Sequence, residues 1–294
     1  MRASPLAAAL GAAVALVFPL SVHAQQPTPN ATKAKAEFAA PAAIPLPPDA
    51  LKRLKSGDLA QVKSALDDVR VSGRAGAAAV PAVVDLLKQG LPAALAQAAI
   101  ETLGETATEA ASDILGWYSR DRDVALRRAA VEALAKTRGV NAVKALRAAL
   151  SDPDPGVRGG AATALGDLKA RDSVADLFAA LDHKVEEAAA SIGQLCEPGD
   201  CERLAAKLGY VPFDVMTGGP DQILLRGTKD VDDDTKIKIV GRVRELGTGE
   251  ANQFLKDVQT KWPAKSSPRV KQAIDQAVIA TSSSPGSAAP ESAP

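Results

Sequence analysis

At 294 residues and 30.2 kDa, the chain has length for one large domain or two of ordinary size. Lys plus Arg and Asp plus Glu both number 35, so the formal charge is zero, without the basic footprint of a general nucleic-acid binder or the self-repulsion of an acidic tail. Aromatics are 3% of the chain against about 60 alanines, so a thick core or a β-sandwich lacks the large side chains to fill it, whereas many thin helix–helix contacts do not need them.

The chain opens with a positive Met1-Arg2, an uncharged Ala/Leu/Val run from Leu6 to Leu20, and small residues at Val22 and Ala24. This is the pattern of a secretory signal with cleavage after Ala24, and it predicts a periplasmic or secreted protein. The apolar run is short and is interrupted by Pro19. The alternative is an uncleaved N-terminal anchor. No Cys follows the run, so lipoprotein-type processing has no residue to acylate. Removing residues 1–24 takes away one positive charge and leaves a net of −1 (34 minus 35). Residues 25–47 carry repeated Pro with no helical period and read as a disordered linker. Asn30-Ala31-Thr32 is a glycosylation sequon that has meaning only in a eukaryotic host.

From residue 48 the sequence repeats itself. A weak copy at Val62-Lys63, Leu66 and Val69 is followed by Leu95, Ala99, Thr102, Leu103 and Gly104. Thirty-one residues on stand Asp123, Leu126-Arg127, Ala130, Ala133, Leu134 and Ala135, and after another thirty-one Asp154, Val157-Arg158, Ala161, Ala164, Leu165 and Gly166. Asp182, Val185, Ala189, Ile192 and Gly193 repeat the pattern with shortened spacing, and Asp234, Ile237-Lys238 and Gly241 give a partial copy. Ser267, Val270-Lys271, Ile274 and Ala277 recover it. Each unit predicts two helices. An Asp or Ser caps the first, whose apolar residues fall at helical spacing, and a second follows a short polar turn, as at 140–150 and 173–181. A lone pair buries too little, so the pairs must stack. Arg127 and Arg158 recur at one position, four residues after Asp123 and Asp154. That recurrence favours Asp–Arg contacts at the first turn or between repeats over a role as ligand-binding cations.

The motif D-x-x-[V/L]-R-x-x-A-x-x-A-L-[G/A], present at 123–135 and 154–166, resembles the HEAT-repeat family, in the short-repeat variant also seen in phycobilin lyases. The resemblance covers 77–195 and extends more thinly over 48–280. It implies an all-α, right-handed α-solenoid of about seven helix pairs whose surface binds other proteins. It also implies that the second helices line the concave side, with Arg128, Glu132, Thr163 and Asp167 in the partner-binding surface. It transfers no activity. The HEAT-like deoxyhypusine hydroxylases depend on His-Glu pairs, but here His23 precedes Ala24 and His183 precedes Lys184.

Past the clearest repeats, His183 sits in a polar turn with no nucleophile elbow nearby. Cys196 and Cys201 are separated by Glu-Pro-Gly-Asp, and Pro198-Gly199 predicts a turn that lets the thiols meet. In an exported chain that spacing points to a disulfide rather than to redox chemistry. Over 209–233 the period is lost in a stretch holding Tyr210, Phe213 and Met216, the turn signal Gly218-Gly219-Pro220 and a β-like run Ile223-Leu224-Leu225. This insertion either contributes Tyr210, Phe213 and Met216 to partner docking or folds over the solenoid and covers a repeat junction. Asp230, Asp232, Asp233 and Asp234 lack the Gly and Glu of a calcium loop and read as a helix cap, while Lys236, Lys238, Arg242 and Arg244 read as a solvated face. The tail 281–294 is Ser/Pro/Ala low complexity and is expected to be disordered.

No P-loop, dinucleotide fingerprint or zinc spacing occurs, and after Leu20 no stretch is apolar enough to span a bilayer. The sequence therefore predicts a non-enzymatic, exported protein-binding scaffold, monomeric, with no cofactor or metal, no nucleic-acid partner and no membrane insertion after cleavage. A bilin-lyase-like enzyme or accessory factor, and a structural tether in the cell envelope, stay open as alternatives.

Overall fold

The computed structural model describes residues 44–264 and 266–282. The signal segment, the cleavage position after Ala24, most of the 25–47 linker and the tail from 283 lie outside the described residues. Among the described residues there are sixteen α-helices and no strand, only an isolated bridge between Leu208 and Val211.

The helices are α1 Ala50–Leu54, α2 Leu59–Ser72, α3 Val80–Gln89, α4 Ala93–Thr106, α5 Ser112–Tyr118, α6 Val124–Thr137, α7 Val140–Ala149 and α8 Pro155–Asp167. They continue as α9 Val174–Asp182, α10 Glu186–Leu195, α11 Pro198–Ala206, α12 Phe213–Met216, α13 Gly218–Leu225, α14 Asp233–Glu245, α15 Gly249–Lys261 and α16 Pro268–Ser282. Helices α2, α4, α6, α8, α10 and α13 stack side by side, and α1, α3, α5 and α7 form a second row against them. The stack passes through α11 to α14 and then to α16. The chain is an all-α solenoid.

The acidic residue that opens a repeat earns its place as a cap. Asp58 accepts from Ala60 N at 2.8 Å, Asp123 from Ala125 N at 2.8 Å and Asp154 from Val157 N at 3.0 Å. Ser267 does the same for Val270 N at 3.4 Å. Each such cap contributes about 1 kcal/mol by satisfying an orphan N–H. The register shifts in two units. In the unit starting near 234 the cap is Asp232, accepting from Thr235 N at 2.8 Å, while Asp234 reaches Arg269 at 2.7 Å. Helix α10 starts after Val185 without a side-chain cap, and Asp182 pairs instead with Lys207.

Leu103, Leu134 and Leu165, equivalent leucines of three successive repeats, are fully buried in one continuous core. Small residues let the stacked helices touch. A Cβ on Gly104 would lie 2.9 Å from Ala133 Cα, so α4 and α6 approach backbone to backbone. The helix-ending turns repeat as well. Ala107, Arg138 and Lys169 hold φ of 51°, 50° and 55°.

The sequence expectation fails in the insertion. Gly218-Gly219-Pro220 is not a turn but the first turn of α13, and Ile223-Leu224-Leu225 is helical rather than β-like. Among the described residues no strand is available to pair with such a run, whereas helical geometry puts Pro220, Ile223 and Leu224 on one buried face. A Cβ on Gly193 would sit 2.4 Å from Gly219 O, so α13 seats directly on α10. Met216 of α12 is fully buried. The insertion thus places α13 beside α10 as a further helix of the stack, while α11 carries the stack on to α14.

Candidate partner-binding surface

The recurrent arginines are structural clamps. Arg127 Nη1 donates to Asp121 O at 3.0 Å and Arg122 O at 3.2 Å, and Arg158 Nη1 donates to Asp152 O at 2.8 Å and Pro153 O at 3.0 Å. Each ties the loop before its own helix. Arg127 also grips Asp152 of the next repeat in a two-pronged contact of 2.8 and 3.0 Å. The expected partners Asp123 and Asp154 are occupied in capping. A helical side chain leans toward the N-terminus and meets the loop there.

Arg128, one residue on, faces outward and bridges to Asp154 through Nε at 2.9 Å and Nη2 at 2.7 Å. The Arg128 guanidinium, helped by the Val157 N–H, holds the Asp154 carboxyl at about 2, below its usual 3.8, and the arginine is pushed up in turn. Arg128 opens a groove of about 500 Å³ across α6, α8 and α10. Glu132, Thr163, Asp167 and Glu187 border it. Its floor is low because Gly156, Gly159 and Gly160 carry no side chain. A Cβ on Gly159 would lie 2.3 Å from a Glu187 carboxylate oxygen.

All four residues assigned to the surface from the repeats, Arg128, Glu132, Thr163 and Asp167, therefore meet in one groove. They lie on α6 and α8, the Asp-capped first helices, and not on the second helices to which the resemblance assigned the binding side. Sequence reasoning missed Glu187 and the glycine floor. The visible signal was three glycines at 156, 159 and 160 on one helical face.

The insertion residues do not join this groove. Tyr210 projects with 87% of its surface exposed, and Phe213 is half-buried with its ring edge-on to Phe254 at 5.8 Å. Met216 is fully buried in the continuous core and offers no surface to a partner. Phe213 and Phe254 instead line a separate cleft of about 620 Å³.

Cys196 and Cys201 form a buried disulfide with Cα atoms 5.3 Å apart. Pro198-Gly199 begins α11 rather than making a free turn. Arg226, at the end of α13, donates to Cys196 O at 2.7 Å and Gly193 O at 3.2 Å, and burial pulls its pKa down. Lys236 is also buried and also lowered by burial, and it donates to Arg226 O. His183 is exposed in the turn after α9. Among the described residues no helix is long and apolar enough to cross a membrane.

Residues 117–196 match the family model described as HEAT repeats. A search of the curated proteins gives no significant match. Among solved structures, the CpcE–CpcF complex of phycocyanin lyase from Nostoc sp. aligns over 83% of this chain and 98% of that one, at 22% identity and a TM-score of 0.42. An engineered protein aligns over 80% of this chain and 96% of its own at 18% identity and 0.39, and a second over 80% and 68% at 17% and 0.42. Likeness of that degree transfers no activity to this chain.

Proposed function

We propose that this protein is an exported, non-enzymatic helical-repeat scaffold that binds another protein in the groove across α6, α8 and α10. The observation that carries the reading is the groove itself, where Arg128, Glu132, Thr163, Asp167 and Glu187 stand around a glycine floor. Charged, hydrogen-bonding side chains around the exposed Gly160 and Thr163 suit a protein segment. Export is supported by Met1-Arg2, the apolar run Leu6 to Leu20 and the small residues Val22 and Ala24. It is supported too by a cysteine pair placed to oxidise outside the cytoplasm.

Affinity capture from the envelope fraction of the native host tests the reading. The wild type retains a specific protein, and Thr163→Arg, which fills the groove from an exposed position without touching the core, loses it. Equal capture by both proteins contradicts the assignment of the groove. An N-terminus other than Gln25 on the exported protein contradicts the processing.

A further inference from the structure

We propose that the cleft between the α6–α7 and α8–α9 turns docks an acidic peptide segment of a partner protein, one that carries an apolar residue among its carboxylates. The proposal rests on the scaffold reading and narrows it to a partner chemistry. The cleft measures about 1000 Å³ and shares Asp167 with the neighbouring groove. Arg138, Lys144, Arg147, Lys169 and Arg171 border it against Asp167 and Asp172, an excess of three positive charges (five minus two) in a chain whose total is zero. Arg147 is matched by Asp176 at 2.6 Å. Among the described residues the other four cations make no ion pair, although Arg127, Arg128 and Lys136 on the neighbouring helix each find a carboxylate. A local excess of this kind selects a partner of opposite sign.

The backbone adds an independent observation. Arg138 and Lys169 occupy equivalent positions thirty-one residues apart, both at positive φ, where glycine is the residue of least strain. Ala107 takes the same position one repeat earlier at φ 51°, so the turn itself does not call for a cation. The strain of holding a long charged side chain there is not offset by any ion pair within the described residues. The floor then distinguishes a peptide from a bare anion. Val140 is 79% exposed at the mouth, and the half-buried Val143 and Leu168 line the interior. An inorganic anion would meet the cations and leave this apolar surface wet, whereas an apolar side chain flanked by carboxylates covers both.

The test uses the purified protein and a fluorescein-labelled heptapeptide, Asp-Glu-Leu-Phe-Asp-Glu-Glu, followed by anisotropy. The peptide binds, and its affinity falls with added salt. The double variant Arg138→Gly/Lys169→Gly binds about tenfold more weakly while its melting temperature does not fall, because glycine suits both backbones. Overturning results are no binding, unchanged affinity in the glycine variant, or equal binding of a peptide with Lys at every acidic position. Binding of inorganic phosphate or of phosphatidylglycerol vesicles in place of the peptide overturns it as well. If the peptide fails while Thr163-dependent capture persists, the cleft assignment falls and the scaffold reading stands. If the peptide binds while Thr163→Arg leaves capture unchanged, the cleft assignment stands and the assignment of the α6–α8–α10 groove falls.

Discussion

Asp154 caps α8 through Val157 N and anchors Arg128 of the preceding repeat, so one side chain serves both helix start and repeat register. Its carboxyl lies at about 2 in the folded chain against 3.8 ordinarily. A carboxyl depressed by folding contributes stability fully above its unfolded value, and that contribution disappears as pH falls through the folded one. Asp154→Asn keeps a good capping side chain and removes the charge. Melting temperatures taken across pH 5 to about 2 are predicted to fall less steeply in the variant than in the wild type. Parallel curves would show that the Arg128–Asp154 pair is not linked to folding. The cysteine pair gives a second residue-scale prediction. Cys196→Ser/Cys201→Ser is expected to lose about 2 kcal/mol, the chain-entropy cost for so short a loop. Urea unfolding with and without reductant measures this, and insensitivity of the wild type to reductant contradicts it.

At the scale of the element, the seat of α13 on α10 is the most demanding contact. Gly193→Ala pushes a methyl to 2.4 Å from Gly219 O and is predicted to cost about 1–3 kcal/mol through overpacking. Gly241 gives the opposite sign. It lies inside α14 with open space where its Cβ would be, so Gly241→Ala should stabilise by about 0.5–1 kcal/mol. Shifts of opposite sign in denaturant midpoint, the larger one for Gly193→Ala, check the pair together. The repeats that frame this region were legible because Asp or Ser caps, apolar positions and turns recur at a fixed interval. Helix α13 was hidden because it spans only Gly218–Leu225, too short to show a period, and opens with residues that ordinarily mark a turn. The aspartates at 230 and 232–234 satisfy the repeat in more than one register; Asp234 opens the repeat pattern, and of the group it is Asp232 that caps the helix.

For the whole molecule, the stacking of helix pairs followed from the repeated pattern, and the low aromatic content became intelligible as the composition of thin interfaces. The candidate surface was only half legible. Arg128, Glu132, Thr163 and Asp167 came from the resemblance to HEAT repeats, which placed them on the second helices. Their assignment to the first helices, and the arrival of Glu187 from α10, depend on which helices become neighbours. A glycine shows in sequence that a side chain is missing, but not what stands opposite, so the floor at Gly156, Gly159 and Gly160 emerged only in three dimensions. The basic cleft was masked in the same way, since a total charge of zero says nothing about where the charges gather. The most direct test places a photo-crosslinking p-benzoylphenylalanine at Glu132, an exposed residue bordering the groove, or, as a control, at the exposed Lys256 on α15, in the native host. A discrete adduct with one envelope protein is predicted at Glu132 and none at Lys256; absence of an adduct at Glu132, or the same adduct at both positions, would contradict the scaffold function.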